Sequence, residues 1–266
     1  MQLTAAARTD VGMIRSGNED NYFADVNPQR GIFIVADGMG GHAAGEVASE
    51  MAVQIVTREL APLRDLRDGR VTQIMSDALR RANRAIFERT MTEVDKQGMG
   101  TTVSALVLSG RRYLIGQVGD SRVYLMRDGV LRQITKDHSY VQEQVDAGYL
   151  TPEQARYHPY SNVITRCVGA SDDVEPDHYL GDVKPGDIFL VASDGLTGMV
   201  DDRRLAHLLA ARAEPARMVD ALITEANGRG GLDNITAIVV EVAEVGTSRP
   251  DVATMENPVV RPHDGG

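Results

Sequence analysis

Apolar residues recur along the chain with two different periods. Gly31–Ala36 (GIFIVA) and Asp187–Ala192 (DIFLVA) are short apolar runs of strand length, and each leads into an acid-glycine pair. Thr102–Leu108, Arg112–Val118 and Arg122–Arg127 form a series of strand-like runs divided by turn residues, with Ser109-Gly110 and Asp128-Gly129 as hairpin signals. Tyr22–Val26 and Ile235–Val242 read as further strands. The connections within the series are too short for crossover helices, so an antiparallel arrangement is expected.

A helical period occupies the stretches between. Ala44, Val47, Ala48, Met51 and Ile55 fall on one helix face, as do Ile74, Ala78, Ala82 and Ile86. Arg203–Arg212 and Pro215–Asn227 fit two late helices, the second opening on a proline suited to a first turn. Ser139-Tyr-Val-Gln142 and Thr151-Pro-Glu-Gln154 match the capping-box pattern of two short helices. The expected class is α+β, antiparallel sheets with helices packed outside them. Periodicity stops after residue 244. Val245–Gly266 holds three prolines and is expected to be a flexible tail behind a domain of residues 1–244.

Composition narrows the class. A chain of 266 residues with 42% apolar and 25% charged residues can bury a large core, which excludes disorder as its main state. No apolar run approaches the ~20 residues of a membrane helix, and the first residues lack a secretory pattern. The sole cysteine, Cys167, precludes an internal disulfide and fits a cytoplasmic location. A net charge of −10 argues against a nucleic-acid partner.

Candidate chemistry lies in acids at strand ends beside glycine. Asp37-Gly38 follows GIFIVA, Asp120 follows YLIGQVG, Asp194-Gly195 follows DIFLVAS, and Asp233-Asn234 precedes the last strand. Glu19-Asp20 stands just before Tyr22–Val26. Any one Asp-Gly pair is ordinary turn chemistry, and Asp128-Gly129 is assigned to a turn. Several acids brought together are another matter. Two carboxylates ~4 Å apart repel by ~4 kcal/mol at a surface-like dielectric, and a divalent cation is the natural neutraliser. All-oxygen donors favour Mg²⁺ or Mn²⁺ over Zn²⁺. Asp37-Gly-Met-Gly-Gly-His42 places three glycines between a strand and a helix, where a backbone carbonyl can reach an ion. Other phosphate chemistries fail on spacing. There is no P-loop, no arginine six residues after Cys167, no Asp-x-Asp, no His-Glu-x-x-His and no Gly-x-Ser-x-Gly.

Seven motifs in order then resemble the metal-dependent protein phosphatases of the type 2C (PPM) family, in their compact bacterial form. They are Arg15-Ser-Gly-Asn-Glu-Asp20, Asp37-Gly-Met-Gly-Gly-His42, Gly100-Thr-Thr102, Gly119-Asp-Ser-Arg122, Thr135-Lys-Asp-His138, Ser193-Asp-Gly-Leu196 and Asp233-Asn234. The resemblance runs from about Ala6 to Val242. It implies an α-β-β-α sandwich of two antiparallel sheets, with the metals in a cleft at one edge. It further implies a cytoplasmic, monomeric phosphoserine/phosphothreonine phosphatase that needs two Mn²⁺ or Mg²⁺ and opposes a Ser/Thr kinase. Its partners would be phosphoproteins, including that kinase and its targets, and neither nucleic acid nor membrane.

By the same resemblance Asp37 bridges the two ions, the Gly38 carbonyl ligates one, and Asp194 and Asp233 hold the first from its other side. Glu19 serves the second ion, supported by Asp20, with Asn234 in a supporting place beside Asp233. Arg15 forks the substrate phosphate. Asp120 holds a third ion, with Ser161 and Asn162 near it in a flap of about residues 139–169. Two departures stand out. Met39 occupies a position where many relatives carry a histidine proposed as general acid. His42 is the candidate in its place, beside a water as donor or a purely structural role for this histidine. Gly198 stands where many relatives carry an acid for the third ion. Two other readings remain: a non-catalytic docking module on this fold, and a phosphatase dedicated to one partner of the anti-sigma-antagonist kind.

Overall fold

The structure, a computed structural model, describes residues 1–40 and 44–245. Two antiparallel sheets face each other. One runs β1 (Gln2–Asp10), β11 (Ile235–Glu244), β10 (Ile188–Ala192), β7 (Arg122–Arg127), β8 (Val130–Gln133). The other runs β2 (Asp20–Val26), β3 (Arg30–Met39), β5 (Val103–Ser109), β6 (Arg112–Val118), β9 (Asp177–Asp182), with the short β4 (Gly100–Thr101) paired to the end of β3. Helices α1 (Ala44–Leu60) and α2 (Val71–Thr92) cover the second sheet, and α6 (Asp202–Ala210) and α7 (Pro215–Gly228) cover the first. Between β8 and β9 the chain forms α3 (Tyr140–Asp146) and α4 (Pro152–Arg156). A single turn, α5 (Asp194–Thr197), follows β10.

The layers follow from strand alternation. In β3, Ile32, Ile34 and Ala36 pack under α1 and α2, while Phe33 and Val35 face the other sheet. In β10, Ile188, Leu190 and Ala192 pack under α6 and α7, while Phe189 and Val191 face inward. The middle layer is a dry contact of the two inner faces, with Phe33, Leu106, Ile115, Phe189, Ile238 and Val240 at 0% exposure. Burying each such side chain contributes ~1.5–3 kcal/mol. Carried one step further, the inward rows end on polar residues. Asp37 continues Phe33 and Val35, Ser193 continues Phe189 and Val191, and Thr236 precedes Ile238 and Val240. The open end of the inter-sheet gap is therefore polar.

The sandwich and the antiparallel pairing agree with the α+β expectation. Asp128 (φ +52°) and Gly129 (φ +81°) make the tight turn between β7 and β8. Ser139 and Thr151 cap α3 and α4 as their patterns predict, Thr151 and Gln154 completing a full capping box. Three strands lie outside the sequence reading: β1, β4 and β9. The alanine-rich QLTAAARTD of β1 shows no apolar run and becomes a strand by pairing along β11. Among the described residues no helix is long and apolar enough to cross a membrane. Residues 246–266 of the tail expected over 245–266, and the candidate His42, lie outside the described residues.

Candidate active site

Opposed residues of an antiparallel pair share a face, and Asp20 of β2 is registered against Asp37 of β3. Both point into the open end of the gap. Asp194 enters from the opposite sheet as the first residue of α5, and Asp233 from the residue pair before β11. Asp120, 6% exposed, sits in the β6–β7 connection. These acids face one another electrostatically. Burial pushes the Asp37 carboxyl well above the usual carboxylate range, and the charges of Asp20, Asp194 and Asp120 push it further. Burial raises Asp120 well above that range too, with Asp194 and Asp137 adding to it. Asp194 is raised by burial and then by Asp233. Asp20 is pushed up to about 7 by burial, against hydrogen bonds from Thr236 and Ser193 that pull it down.

Backbone and hydroxyl groups hold this arrangement. Thr101 Oγ1 and the Thr102 amide both donate to the Asp37 carbonyl at 2.9 Å, and the Asp37 amide donates to Thr102 Oγ1 at 2.9 Å. Asp20 Oδ2 accepts from Ser193 Oγ at 2.8 Å and from Thr236 Oγ1 at 2.7 Å, which ties the two sheets together. Asn234 accepts the Glu19 amide at 2.8 Å and donates to the carbonyls of Val11 and Gly17 at 2.9 and 2.8 Å. Two glycines are dictated by close approach. A Cβ on Gly38 would lie 2.2 Å from the Gly45 carbonyl oxygen, and one on Gly195 would lie 2.0 Å from that of Asn234.

An open cleft of ≈ 330 Å³ lies above the acids, with Arg15, Glu19, Asp37, Asp194 and Asp233 among its walls. Arg15 Nη2 donates to Asp233 Oδ2 at 2.7 Å. The flap reaches the cleft through Asn162 and Ile164. Ser161 is not among the lining residues; its hydroxyl donates to Asn162 Oδ1 at 3.2 Å. Met39 lines the cleft and offers no transferable proton. Gly198 is the C-cap of α5, its amide on the Asp194 carbonyl at 2.6 Å.

The residues fit divalent cations. Oδ1 of Asp20, of Asp120 and of Asp194 is buried with no hydrogen-bond donor. Such oxygens are costly unless a cation meets them. Among the described residues no three His, Cys, Asp or Glu side chains stand close enough together to form a ready-made metal site. A Mg²⁺-like ion does not need one, because it is held by one or two carboxylates together with waters and phosphate oxygens. The Asp37–Asp194 pair and its neighbours meet that requirement.

Of the residues expected from the sequence, Arg15, Glu19, Asp37, Gly38, Asp194, Asp233 and Asn234 line one cleft, while Asp20 and Asp120 lie buried beside them rather than in its lining. Ser193, Thr236, Thr101 and Thr102 carry no role in the sequence motifs, yet they hold the acids in place. The signal for Ser193 and Thr236 was available as hydroxyls on the inward row of otherwise apolar strands.

A profile of the family described as Protein phosphatase 2C matches residues 14–225, and the chain belongs to that family. It is 40% identical to the serine/threonine phosphatase Stp of Listeria monocytogenes over 242 residues, 89% of this chain and 95% of that protein. It is 41% identical to the serine/threonine protein phosphatase PstP of Mycobacterium tuberculosis over 254 residues, 94% of this chain and 48% of PstP. The crystal structure of the M. tuberculosis phosphatase superposes with a TM-score of 0.82 at 40% identity, covering 91% of this chain and 99% of that one. The PstP catalytic domain in complex with two manganese ions superposes with a TM-score of 0.79, covering 91% and 99%.

Proposed function

We propose that this chain is a metal-dependent protein serine/threonine phosphatase that hydrolyses phosphoserine and phosphothreonine in protein substrates with two Mn²⁺ or Mg²⁺. The observation that carries it is the buried, donor-less carboxylate oxygen of Asp194 in a cleft lined also by Arg15, Glu19, Asp37 and Asp233, with further donor-less oxygens on Asp20 and Asp120 of the same acid cluster. The relatives named above as serine/threonine phosphatases, one of them holding two manganese ions, support it.

Asp37, the Gly38 carbonyl, Asp194, Asp233 and Glu19 would be the protein donors to the two ions. When bound, the ions lower the pKa of a water to make it a nucleophile and neutralise the phosphoryl oxygens. The protein's part is to hold these donors still and to orient the phosphate. Asp20, locked by Ser193 and Thr236, keeps β2 against the opposite sheet. Arg15 offers its guanidinium to a phosphate at the cleft mouth, exchanging Asp233 for the substrate oxygens. Asp120 would serve a third ion. Asn162 and Ile164 place the flap where it can contact the residues around the phosphate. The substrates would include a Ser/Thr kinase and its targets.

A non-catalytic module on this fold is disfavoured, because Glu19, Asp37, Asp194, Asp233 and Arg15 are all retained. The test is hydrolysis of p-nitrophenyl phosphate and of a phosphothreonine peptide with Mn²⁺, Mg²⁺ or EDTA, beside Asp37→Asn. Metal-dependent turnover that is lost in the variant is expected. Metal binding without turnover of either substrate would overturn the reading. Turnover of a single phosphoprotein and no peptide would point instead to the dedicated-partner enzyme.

A further inference from the structure

Thr135-Lys-Asp-His138 is a motif that the proposed chemistry leaves without a task. Its histidine is buried, at 6% exposure, and both ring nitrogens are engaged. The Gly119 amide donates to His138 Nδ1 at 3.1 Å. A backbone amide can only donate, so Nδ1 is the bare nitrogen and Nε2 carries the hydrogen. That hydrogen faces Asp177 Oδ2 at 3.2 Å; Arg166 Nη1 also lies 3.1 Å from Nε2, but its two hydrogens are directed to Asp177 and, at 2.8 Å, to the Glu175 carbonyl. The other oxygen of Asp177 accepts from Arg166 Nη1 at 3.0 Å. The His138 amide returns to the Gly119 carbonyl at 2.9 Å, and Gln117 Nε2 donates to the same carbonyl at 3.0 Å.

Gly119 therefore has both backbone groups clamped, its amide by a ring nitrogen from 19 residues away. Its φ of +101° is in the glycine region, and a Cβ there would lie 2.5 Å from Thr102 Cγ2. The next residue is Asp120, whose Oδ1 is buried without a donor. On its other side the His138 carbonyl accepts the Thr165 amide at 2.9 Å, which fastens the returning limb of the flap.

We propose that His138 is a positioning residue for Asp120: through the Gly119 amide it fixes how the Asp120 carboxylate is presented to a divalent cation, with Asp177 fixing the tautomer that allows it. This rests on the reading of Asp120 as a ligand of the third ion. It is the arrangement in which a histidine acts on a metal site through the backbone rather than by ligation. Groups of this kind, outside the ligands themselves, typically set metal affinity or activity by about 10–100-fold. A histidine that only filled space would affect stability and leave cation binding alone.

The test is a Mn²⁺ titration of the full chain by calorimetry, with kcat on p-nitrophenyl phosphate measured against Mn²⁺ concentration. The variants are His138→Leu, His138→Asn, Asp120→Asn and Asp177→Asn, each checked for folding by thermal unfolding in EDTA. His138→Leu is expected to weaken the weakest Mn²⁺ site by about tenfold or more, with lost activity recovered by excess Mn²⁺. Asn offers Oδ1 where Nδ1 stood, so His138→Asn should restore most of the affinity. If Asp120→Asn weakens that site while folded His138→Leu binds Mn²⁺ like the wild type, the positioning role is overturned. If Asp120→Asn leaves binding unchanged, the ligand reading beneath it fails instead. Should His138→Leu not fold, Asp177→Asn carries the test: a smaller loss in the same direction supports the role, and unchanged binding overturns it.

Discussion

Strand β10 has a buried or half-buried aspartate beyond each end, and the two live in opposite surroundings. Asp187, 1% exposed, receives Arg127 Nε at 2.7 Å, Arg127 Nη2 at 2.5 Å and the Lys184 amide at 2.7 Å. Both its oxygens have donors, and its charge is balanced. Asp194, seven residues on, has a buried oxygen with no donor, and its near neighbours Asp233 and Asp37 are acids. One end of the strand closes the fold. The other holds like charges together at a cost that the rest of the structure offsets. Arg15 and Arg122 offset only part of this charge, and such an under-compensated cluster marks the end where a cation and its chemistry belong.

The contrast can be broken most severely at Asp194. Asp194→Asn should lower metal-dependent turnover by at least about a thousandfold, the loss of several kcal/mol of transition-state stabilisation. It should leave the EDTA-treated protein at least as stable as the wild type, since a repelling charge is gone. Steady-state kinetics and thermal unfolding on one preparation check both halves. Asp187→Asn should do the reverse. Stripping one partner from a buried pair costs about 3 kcal/mol, the low end because Arg127 is 27% exposed, with turnover per folded molecule retained. A melt and an assay separate these outcomes.

Cation binding gives a third, slightly smaller contrast. At about 100 times its dissociation constant Mn²⁺ should add about 2.7 kcal/mol to wild type and to Asp187→Asn, and much less to Asp194→Asn. Melting curves with and without Mn²⁺ show it. Next comes the backbone. Gly195→Ala puts a Cβ 2.0 Å from the Asn234 carbonyl, so α5 and the start of β11 must part. About 1–3 kcal/mol of stability should go, with loss of Mn²⁺ response. The last effect is on pH. The folded pKa of Asp20, about 7, lies above that of an unfolded aspartate near ~3.9. Between these values the folded state holds the extra proton, so metal-free protein should lose stability as pH rises from about 4 to about 7. Asp20→Asn should flatten that slope in denaturant titrations run in EDTA.

The same contrast explains what could be read from the sequence. Buried strands such as GIFIVA and DIFLVA announce themselves because both faces are covered, and their ends locate the acids. Edge strands do not. β1 is half-buried and alanine-rich, and β9 (DHYLGD) alternates only weakly, so each takes its conformation from a neighbour. Within the site, Asp37, Asp194 and Asp233 were legible from their place at strand ends and from the family motifs. Asp194 and Asp187 flank the same apolar run, and the glycine and motif that mark Asp194 do not show that its charge lacks the balance Asp187 has. The difference lies in Arg127, 60 residues away in sequence, and in Asp37 from the other sheet. The hydroxyls of Ser193 and Thr236, which hold Asp20, gain meaning only once the two sheets are stacked.

The most direct measurement is the number of Mn²⁺ ions bound, by calorimetry, to wild type, Asp194→Asn and Asp187→Asn. Two or more ions on wild type, at least one fewer on Asp194→Asn and no loss on Asp187→Asn are predicted. Equal numbers on all three proteins, or none on wild type, would contradict a metal centre at this end of the sandwich.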